Sequence, residues 1–401
     1  MIRMQGDVDM HNAKKELELY IHIPFCIKKC NYCDFLSAPA DTETKMAYMK
    51  ALCKEIVEKS REYEDYAVVT IFIGGGTPTT VPALEIKQML DIIRKYYDVQ
   101  TEAEISMEVN PGTVNAEALQ IYKLAGINRL SIGVQSTEEA ELKCLGRIHS
   151  YEQFLETYRQ ARAAGFDNIN VDIMSALPEQ TMESYQKTLK RITGLVPPPE
   201  HISAYSLIIE EGTPFFEAYE ADTLNLPEEE VERSMYELTR QVLQECGYRR
   251  YEISNYARKG RECRHNIGYW ERKNYLGFGI GAASLIENER FHNTSDLQRY
   301  LQDTREATED HQKLSIAEQM EETMFLGLRK TAGVKLEQFE KNFGIPLLQV
   351  YGEVVEKQRK EGLLELVEDE DGNRSIALTL KGMDVSNYVM ADFLEPTFFE
   401  T

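Results

Sequence analysis

From residue 17 to about 210 the chain alternates short β-rich runs with longer segments of helical period. L-E-L-Y-I-H-I (17–23) is followed by a helical pattern at 44–60, and A-V-V-T-I-F-I (67–73) by one at 81–97. A-E-I-S-M-E-V (103–109), N-R-L-S-I-G-V (128–134), N-I-N-V-D-I-M (168–174) and H-I-S-A-Y-S-L (201–207) continue the series. These β/α repeats, read as near-continuous apolar strands, predict an α/β fold whose parallel sheet is covered by helices. Thr113 or Asn115 is placed to cap the helix that opens A-E-A-L-Q, and Thr137 the one that opens E-E-A-E-L. Six such units fall short of the roughly eight that close a full barrel, so the expectation is a partial (β/α)6, TIM-like barrel, open or strongly curved.

A charged amphipathic helix is expected at 228–246, and past residue 290 the pattern changes. Residues 315–329 and 350–360 have helical period, 363–367 and 375–379 read as strands, and D-E-D-G-N between them reads as a hairpin turn. Helices followed by a two-stranded wing predict a small winged-helix-like α+β domain. The expected organisation is a tail over 1–16, the partial barrel over 17–225, a barrel extension over 226–309 and the winged-helix-like domain over 310–401.

Composition narrows the function. With 42% hydrophobic and 28% charged residues, the 401-residue chain can bury a sizeable core. Its formal charge of −22 repels phosphate backbones and anionic headgroups, so nucleic-acid binding is not expected, even by a winged helix, which instead suits a structural or partner-docking role. Local hydrophobic docking, including peripheral contact with a membrane, stays open. The sequence holds no apolar run long enough to span a bilayer, and its first residues lack the apolar core of a signal peptide, which places the protein in the cytoplasm.

Seven cysteines are too few and too odd in number for a disulfide scaffold. Cys53, Cys144, Cys246 and Cys263 are scattered and read as small buried hydrophobes. Cys26, Cys30 and Cys33 are different: they form C-x3-C-x2-C directly after the first strand. Structural zinc asks for a closed set of about four ligands, and the sequence offers one triplet with no second pair nearby. Three thiolates on one loop suit a cubane iron-sulfur cluster, in which the fourth iron stays open to an outside ligand.

The polar strand ends belong to the same picture. Gly74-Gly75-Gly76-Thr77, Glu108-Val109-Asn110-Pro111, Gln135-Ser136 and Asp172 should converge at the carboxyl edge of the sheet. Glycines there let backbone approach a ligand closely. Buried charges such as Glu108, Arg147 and Asp172 need partners, either each other or a ligand. The cysteine spacing, with Tyr32 inside it, resembles the signature of the radical S-adenosylmethionine (radical SAM) superfamily. That resemblance implies a [4Fe-4S] cluster on Cys26, Cys30 and Cys33, with S-adenosyl-L-methionine chelating the open iron. It also implies cofactor contacts from Tyr20, Tyr32, Gly75, Gly76, Thr77, Glu108, Gln135, Arg147 and Asp172.

Along Y-I-H-I-P-F-C, S-M-E-V-N-P, R-L-S-I-G-V-Q-S, G-R-I-H-S, N-V-D-I-M-S-A-L-P-E-Q-T and A-Y-S-L-I-I-E-E-G-T-P the chain is similar to the oxygen-independent coproporphyrinogen III oxidase family. That family includes decarboxylating enzymes and heme chaperones. The decarboxylating members carry a further cysteine where this chain has Phe35, and a longer segment ahead of the first strand than the 25 residues before Cys26. His265-Asn266-Ile267-Gly268-Tyr269-Trp270 resembles the H-N-x-x-Y-W signature of the heme chaperones. The resemblance therefore implies a protein that binds heme and passes it to an acceptor protein, with the adenosyl-radical oxidation of coproporphyrinogen III as the alternative. His265 is the expected heme ligand, Cys263 a secondary one, and Arg264 a partner for a propionate. A reductant protein is an expected further partner, and the sequence is compatible with a monomer or a dimer.

Overall fold

The computed structural model describes residues 14–369 and 371–394. The expected tail thus lies almost wholly outside the described residues, and the first strand already begins at Lys15. β1 (Lys15–Ile23), β2 (Tyr66–Gly75), β3 (Asp98–Val109), β4 (Arg129–Gln135), β5 (Ile169–Ser175) and β6 (His201–Ser206) pair side by side in parallel and in chain order. Helices including Thr42–Lys59, Ala83–Tyr96, Ala116–Leu124, Tyr151–Ala163 and Met182–Thr193 connect them. The sheet stays open: β1 turns its other edge to β9 (Tyr275–Phe278), and β6 to β8 (Asn255–Ala257). Beyond β9 lie β10 (Ala283–Ile286), β11 (Glu289–Asn293) and β12 (Thr308–Lys313), antiparallel; β7 (Arg249–Arg250) ends the opposite side.

The strands are not continuously apolar, as the sequence reading had them; they alternate. One face carries Leu19, Ile21, Ile71, Ile73, Met107, Ile132, Val171 and Ile202, all buried in one large core. Register places like beside like, with Ile21 opposite Ile73, Ile73 opposite Met107 and Met107 opposite Leu130. The other face is polar: Glu18 and Tyr20 on β1, Glu104 and Glu108 on β3, Arg129 and Ser131 on β4, Asn170 and Asp172 on β5, His201 and Ser203 on β6. Since side chains of a strand point to opposite faces at a period of two, the apolar set meets the helices and the polar set fills the barrel interior.

A polar interior must be satisfied from within. A short helix, Arg264–Trp270, does this at the amino-terminal end of the strands. Glu104 accepts from the backbone N–H groups of Arg264 (3.2 Å) and His265 (3.4 Å), which the helix start leaves without intrahelical partners. Gly268 packs so tightly against Glu18 that a Cβ there would lie 1.9 Å from its Oε1. The helix is a plug, inserted where the first three strands are most polar.

Two local readings differ from expectation. Asn115 caps the Ala116–Leu124 helix through the Ala118 N–H, whereas Thr137 does not cap its helix: its hydroxyl meets Thr188 at 3.1 Å, and Glu138 at the cap position makes no side-chain capping bond. The boundary expected at 310 also cuts through β12, which belongs to the large sheet. After it come the helices Ile316–Gly327, Leu336–Phe343 and Leu347–Lys360 and a separate sheet of β13 (Val334–Lys335), β15 (Arg374–Leu378) and β14 (Leu364–Glu368) in that order. Met324, Phe339, Tyr351, Ile376 and Phe393 form its own core. The unit is joined to the barrel by the Thr331 N–H to the Tyr251 carbonyl (3.0 Å) and by the Arg329 guanidinium over the Trp270 ring (4.4 Å).

Gly268→Ala forces Glu18 to move inside a packed interior, so we expect it to destabilise the fold by about 1–3 kcal/mol. Thermal denaturation should show the lowered midpoint, and Glu18→Ala in the same chain should recover part of it.

Candidate functional site

At the carboxyl ends of β1–β6 lies a cavity of about 380 Å³, a size that suits one small ligand. Cys26, Cys30 and Cys33 form one wall of it, on the loop that leaves β1. Hydrogen bonds hold that loop from both sides: Cys26 N–H donates to the Ala38 carbonyl (3.1 Å), the Asn31 side chain donates to the Cys144 carbonyl (2.8 Å), and Phe215 N–H donates to the Asn31 carbonyl (3.0 Å). The three thiols are free. Among the described residues no three His, Cys, Asp or Glu side chains converge as a single ion requires. Three thiols of one loop lining one cavity are the donor set that a [4Fe-4S] cluster takes, one thiolate to each of three irons.

The glycine run also has a use inside the protein. A Cβ on Gly75, whose φ is +104°, would lie 2.3 Å from the His22 ring, and one on Gly76 would lie 2.8 Å from the carbonyl oxygens of Ile23 and Phe25. The space is already taken by protein. The missing side chains let the end of β2 press against β1, so that Gly76 N–H bonds the Ile23 carbonyl (2.9 Å) and Thr77 N–H the Phe25 carbonyl (2.7 Å). Thr77 Oγ1 is then fixed 3.4 Å from Cys26 Sγ and accepts from Asn110 at 2.7 Å.

Charges are distributed with equal economy. Arg147 donates to Asn110 Oδ1 (2.9 Å) and the Gly133 carbonyl (2.5 Å) and points its other amino group at Cys30 Sγ (3.7 Å). Glu108 accepts from the Gly75 N–H (3.0 Å), but burial, reinforced by nearby Asp172, pushes its carboxyl up to about 8. Asp172 is also raised by burial, against hydrogen bonds from Asn170 (2.6 Å) and Ser131 (3.3 Å). Gln135 sits in the left-handed region at φ +65°, a conformation that is strained for a side chain this size. Cys26, Cys30, Cys33, Tyr32, Gly75, Gly76, Thr77, Glu108, Gln135, Arg147 and Asp172 all line this one cavity. Tyr20 does not; its ring stacks on Phe72, which does, and its hydroxyl meets His22 Nδ1 at 3.0 Å.

His265 is placed elsewhere. It is 1% exposed, its Nδ1 meets Thr70 Oγ1 at 2.7 Å, its Nε2 meets Tyr269 Oη at 3.0 Å, and its ring stacks on Phe72. Burial, with a contribution from Arg129, pushes the imidazole down to about 3. In this conformation both ring nitrogens are engaged by protein, and the histidine fastens the plug helix to β2. Cys263 is fully buried with its thiol toward Glu104 (3.6 Å), and Arg264 donates to the Glu102 carbonyl (2.7 Å), so neither reaches the cavity.

Sequence reasoning missed Arg129, Ser131, Asn170, Ser203, Tyr205 and Asn266, which line the cavity. For the five on strands the signal was present, since each lies an even number of residues from Gln135, Asp172 or its own strand neighbour. Asn266 carried none: its position follows from how the plug is seated.

Comparison with known proteins agrees with this site. Residues 20–192 match the radical SAM superfamily, and residues 314–385 match the HemN C-terminal domain. The heme chaperone HemW of Bacillus subtilis (strain 168) is 36% identical over 94% of this chain and 98% of its own. The heme chaperone HemW of Escherichia coli (strain K12) is 39% identical over 67% of this chain and 70% of its own. Coproporphyrinogen III oxidase (HemN) from Escherichia coli, described as a radical SAM enzyme, superposes with a TM-score of 0.81 over 96% of this chain and 92% of its own; at 24% identity that likeness speaks for the fold. The chain belongs to the radical SAM superfamily and, within it, to the family of the HemW heme chaperones.

Proposed function

We propose that this protein binds heme and transfers it to acceptor proteins in the cytoplasm, and that it does not decarboxylate coproporphyrinogen III. The observation that carries this reading is the end-to-end identity with a heme chaperone, 36% over 94% of the chain. Phe35, which is exposed at the cavity where the decarboxylating relatives carry a further cysteine, supports it. No helix among the described residues is long and apolar enough to cross a membrane.

The cavity residues fit the cofactors of the superfamily. Cys26, Cys30 and Cys33 would hold a [4Fe-4S] cluster, and Arg147, already turned toward Cys30, adds positive charge beside the thiolates. Glu108 matches the amino group of S-adenosyl-L-methionine, Arg147 its carboxylate, and Asp172 and Gln135 its hydroxyls. When bound, cluster and sulfonium together supply one-electron chemistry. The chain's own residues bind, orient and exclude water: the buried Arg129–Asp172–Glu108 face is closed from below by the plug helix, and Thr77 and Asn110 keep the loop in place.

Three outcomes test this. Anaerobically reconstituted protein should take up stoichiometric heme and hand it to an apo-acceptor, while yielding no protoporphyrinogen from coproporphyrinogen III; turnover at an enzyme's rate overturns the chaperone reading. Cys26→Ser should lose the brown chromophore and most of its iron with an unchanged far-ultraviolet circular dichroism spectrum. In protein without its cluster the ligand's amino group stays an ammonium, and beside Glu108, whose carboxyl burial pushes up to about 8 in the empty cavity, it favours the ionised form. Binding at pH 7 should therefore release about one proton, read by calorimetry in two buffers of different ionisation heat. Glu108→Gln should abolish that release and weaken binding roughly tenfold or more.

A further inference from the structure

With His265 sealed, the functional proposal leaves open where heme sits. Among the described residues, exposed apolar side chains stand on the two segments that flank the cavity's opening. Ile27 (56% exposed), Phe35 (64%) and Leu36 project from the cluster loop, and Tyr205 and Ile208 (67%) from the end of β6. Phe35, Tyr205 and Ile208 line the mouth of the same cavity. Folding does not require them there, because side chains this exposed contribute little to the core. Apolar groups clustered at the mouth of a pocket mark a contact surface.

The charge of the mouth is equally specific. Lys28 and Lys29 line it, both exposed and without a salt bridge among the described residues, in a chain of net charge −22. Asp34 and Glu210 also face it, so a ligand's acids would be drawn by the two ammonium groups locally and not by a net positive mouth. A ligand that matches these features is flat and apolar across its body and carries two carboxylates along one edge. Among the described residues no histidine lines the cavity, and His22 at the end of the first strand has both nitrogens engaged, by Tyr20 and the Leu36 carbonyl.

Resting on the heme-transfer reading, we propose that the mouth of the barrel cavity is the heme seat: the macrocycle lies against Phe35, Tyr205 and Ile208, and its propionates reach toward Lys28 and Lys29. Heme then covers the cofactor cavity and is held by its faces and edge, without a histidine of this chain on the iron. A hold of this kind suits a carrier, because an acceptor with a strong iron ligand can take the heme away. It also makes the two ligands interdependent: bound heme slows the exit of S-adenosyl-L-methionine from the cavity beneath.

The test uses the full chain with its cluster reconstituted, titrated with hemin and followed by Soret absorbance. Phe35→Ser combined with Ile208→Ser, and separately Lys28→Glu combined with Lys29→Glu, should each weaken hemin binding tenfold or more while iron content stays that of the parent. His265→Gln, with parental circular dichroism, should bind hemin within about twofold of the parent. Labelled S-adenosyl-L-methionine should leave the parent more slowly once hemin is bound. Parental hemin affinity in both double variants overturns the seat, as does loss of heme in a folded His265→Gln. If the double variants keep heme but no longer deliver it, the mouth is a protein-docking surface and the proposal is wrong. A parent that binds no hemin overturns the functional reading as well, so the two failures are distinguishable.

Discussion

The structure depends on one constraint, that each strand of the barrel carries an apolar row and a polar row and cannot bury both against the same neighbour. The apolar row is matched by helices. The polar row has only the barrel interior, where unpaired charge costs several kcal/mol per group. The interior is therefore organised as a network that pairs most of its groups, leaving Glu18 Oε2 beside the plug and Arg129 Nε beside the cavity without a hydrogen-bond partner among the described residues. Arg129 illustrates the remainder. Its side chain is buried among Cys263, Glu104, Tyr251 and Asp172, and its Nε has no partner. Burial should be expensive for such a group, and the acids around it offset the cost through their charge more than through direct contact.

The same constraint explains why the plug helix has the sequence it does. A helix entering a polar lumen must present groups that pair with carboxylates and hydroxyls, and must be thin enough to fit. His265 bonds Thr70, the first backbone N–H groups bond Glu104, Gly268 leaves room for Glu18, and Asn266 looks into the cavity. Trp270 lies at the far end, under Arg329 of the C-terminal unit. His265, Gly268, Tyr269 and Trp270 each have a packing or hydrogen-bonding partner visible in the geometry, whereas Asn266 lines the cavity.

Much of this was legible before any coordinates. The six-strand parallel order, the open sheet, the cluster loop and the convergence of Glu108, Gln135, Arg147 and Asp172 were all read from strand ends and spacing, which are local signals. The small C-terminal unit with its wing was read likewise. What was misread is instructive. L-E-L-Y-I-H-I and N-I-N-V-D-I-M alternate strictly, and treating them as apolar runs hid the lumen-facing half of the site. Sequence also could not show that Gly75 and Gly76, besides lining the cavity, leave room for His22 and Phe25 of the first strand. His265 was assigned to heme on the resemblance of H-N-x-x-Y-W to a heme-chaperone signature, and what no sequence could show is that both of its nitrogens are paired inside the chain, with Thr70 and Tyr269.

A further consequence follows from the hydrogen bonds that run outward from the cavity. Asp172 meets Asn170 at 2.6 Å, Asn170 Oδ1 meets His201 Nδ1 at 2.6 Å, and His201 Nε2 meets the Tyr251 hydroxyl at 2.8 Å. The same hydroxyl accepts from Cys263 N–H (3.2 Å), the residue that precedes the plug, and the Tyr251 carbonyl accepts from Thr331 in the C-terminal unit. His201 is held neutral, its imidazole pushed well down by burial, so each of its nitrogens has one fixed role, as donor or as acceptor. A reversal of any one bond would have to propagate to its neighbours, which makes the chain of contacts rigid. Rigidity here has a purpose that the apolar packing alone could not serve. It ties the residue that faces the ligand, the start of the plug and the edge of the C-terminal unit into one element, so that the floor of the cavity keeps its shape while its mouth stays open to solvent.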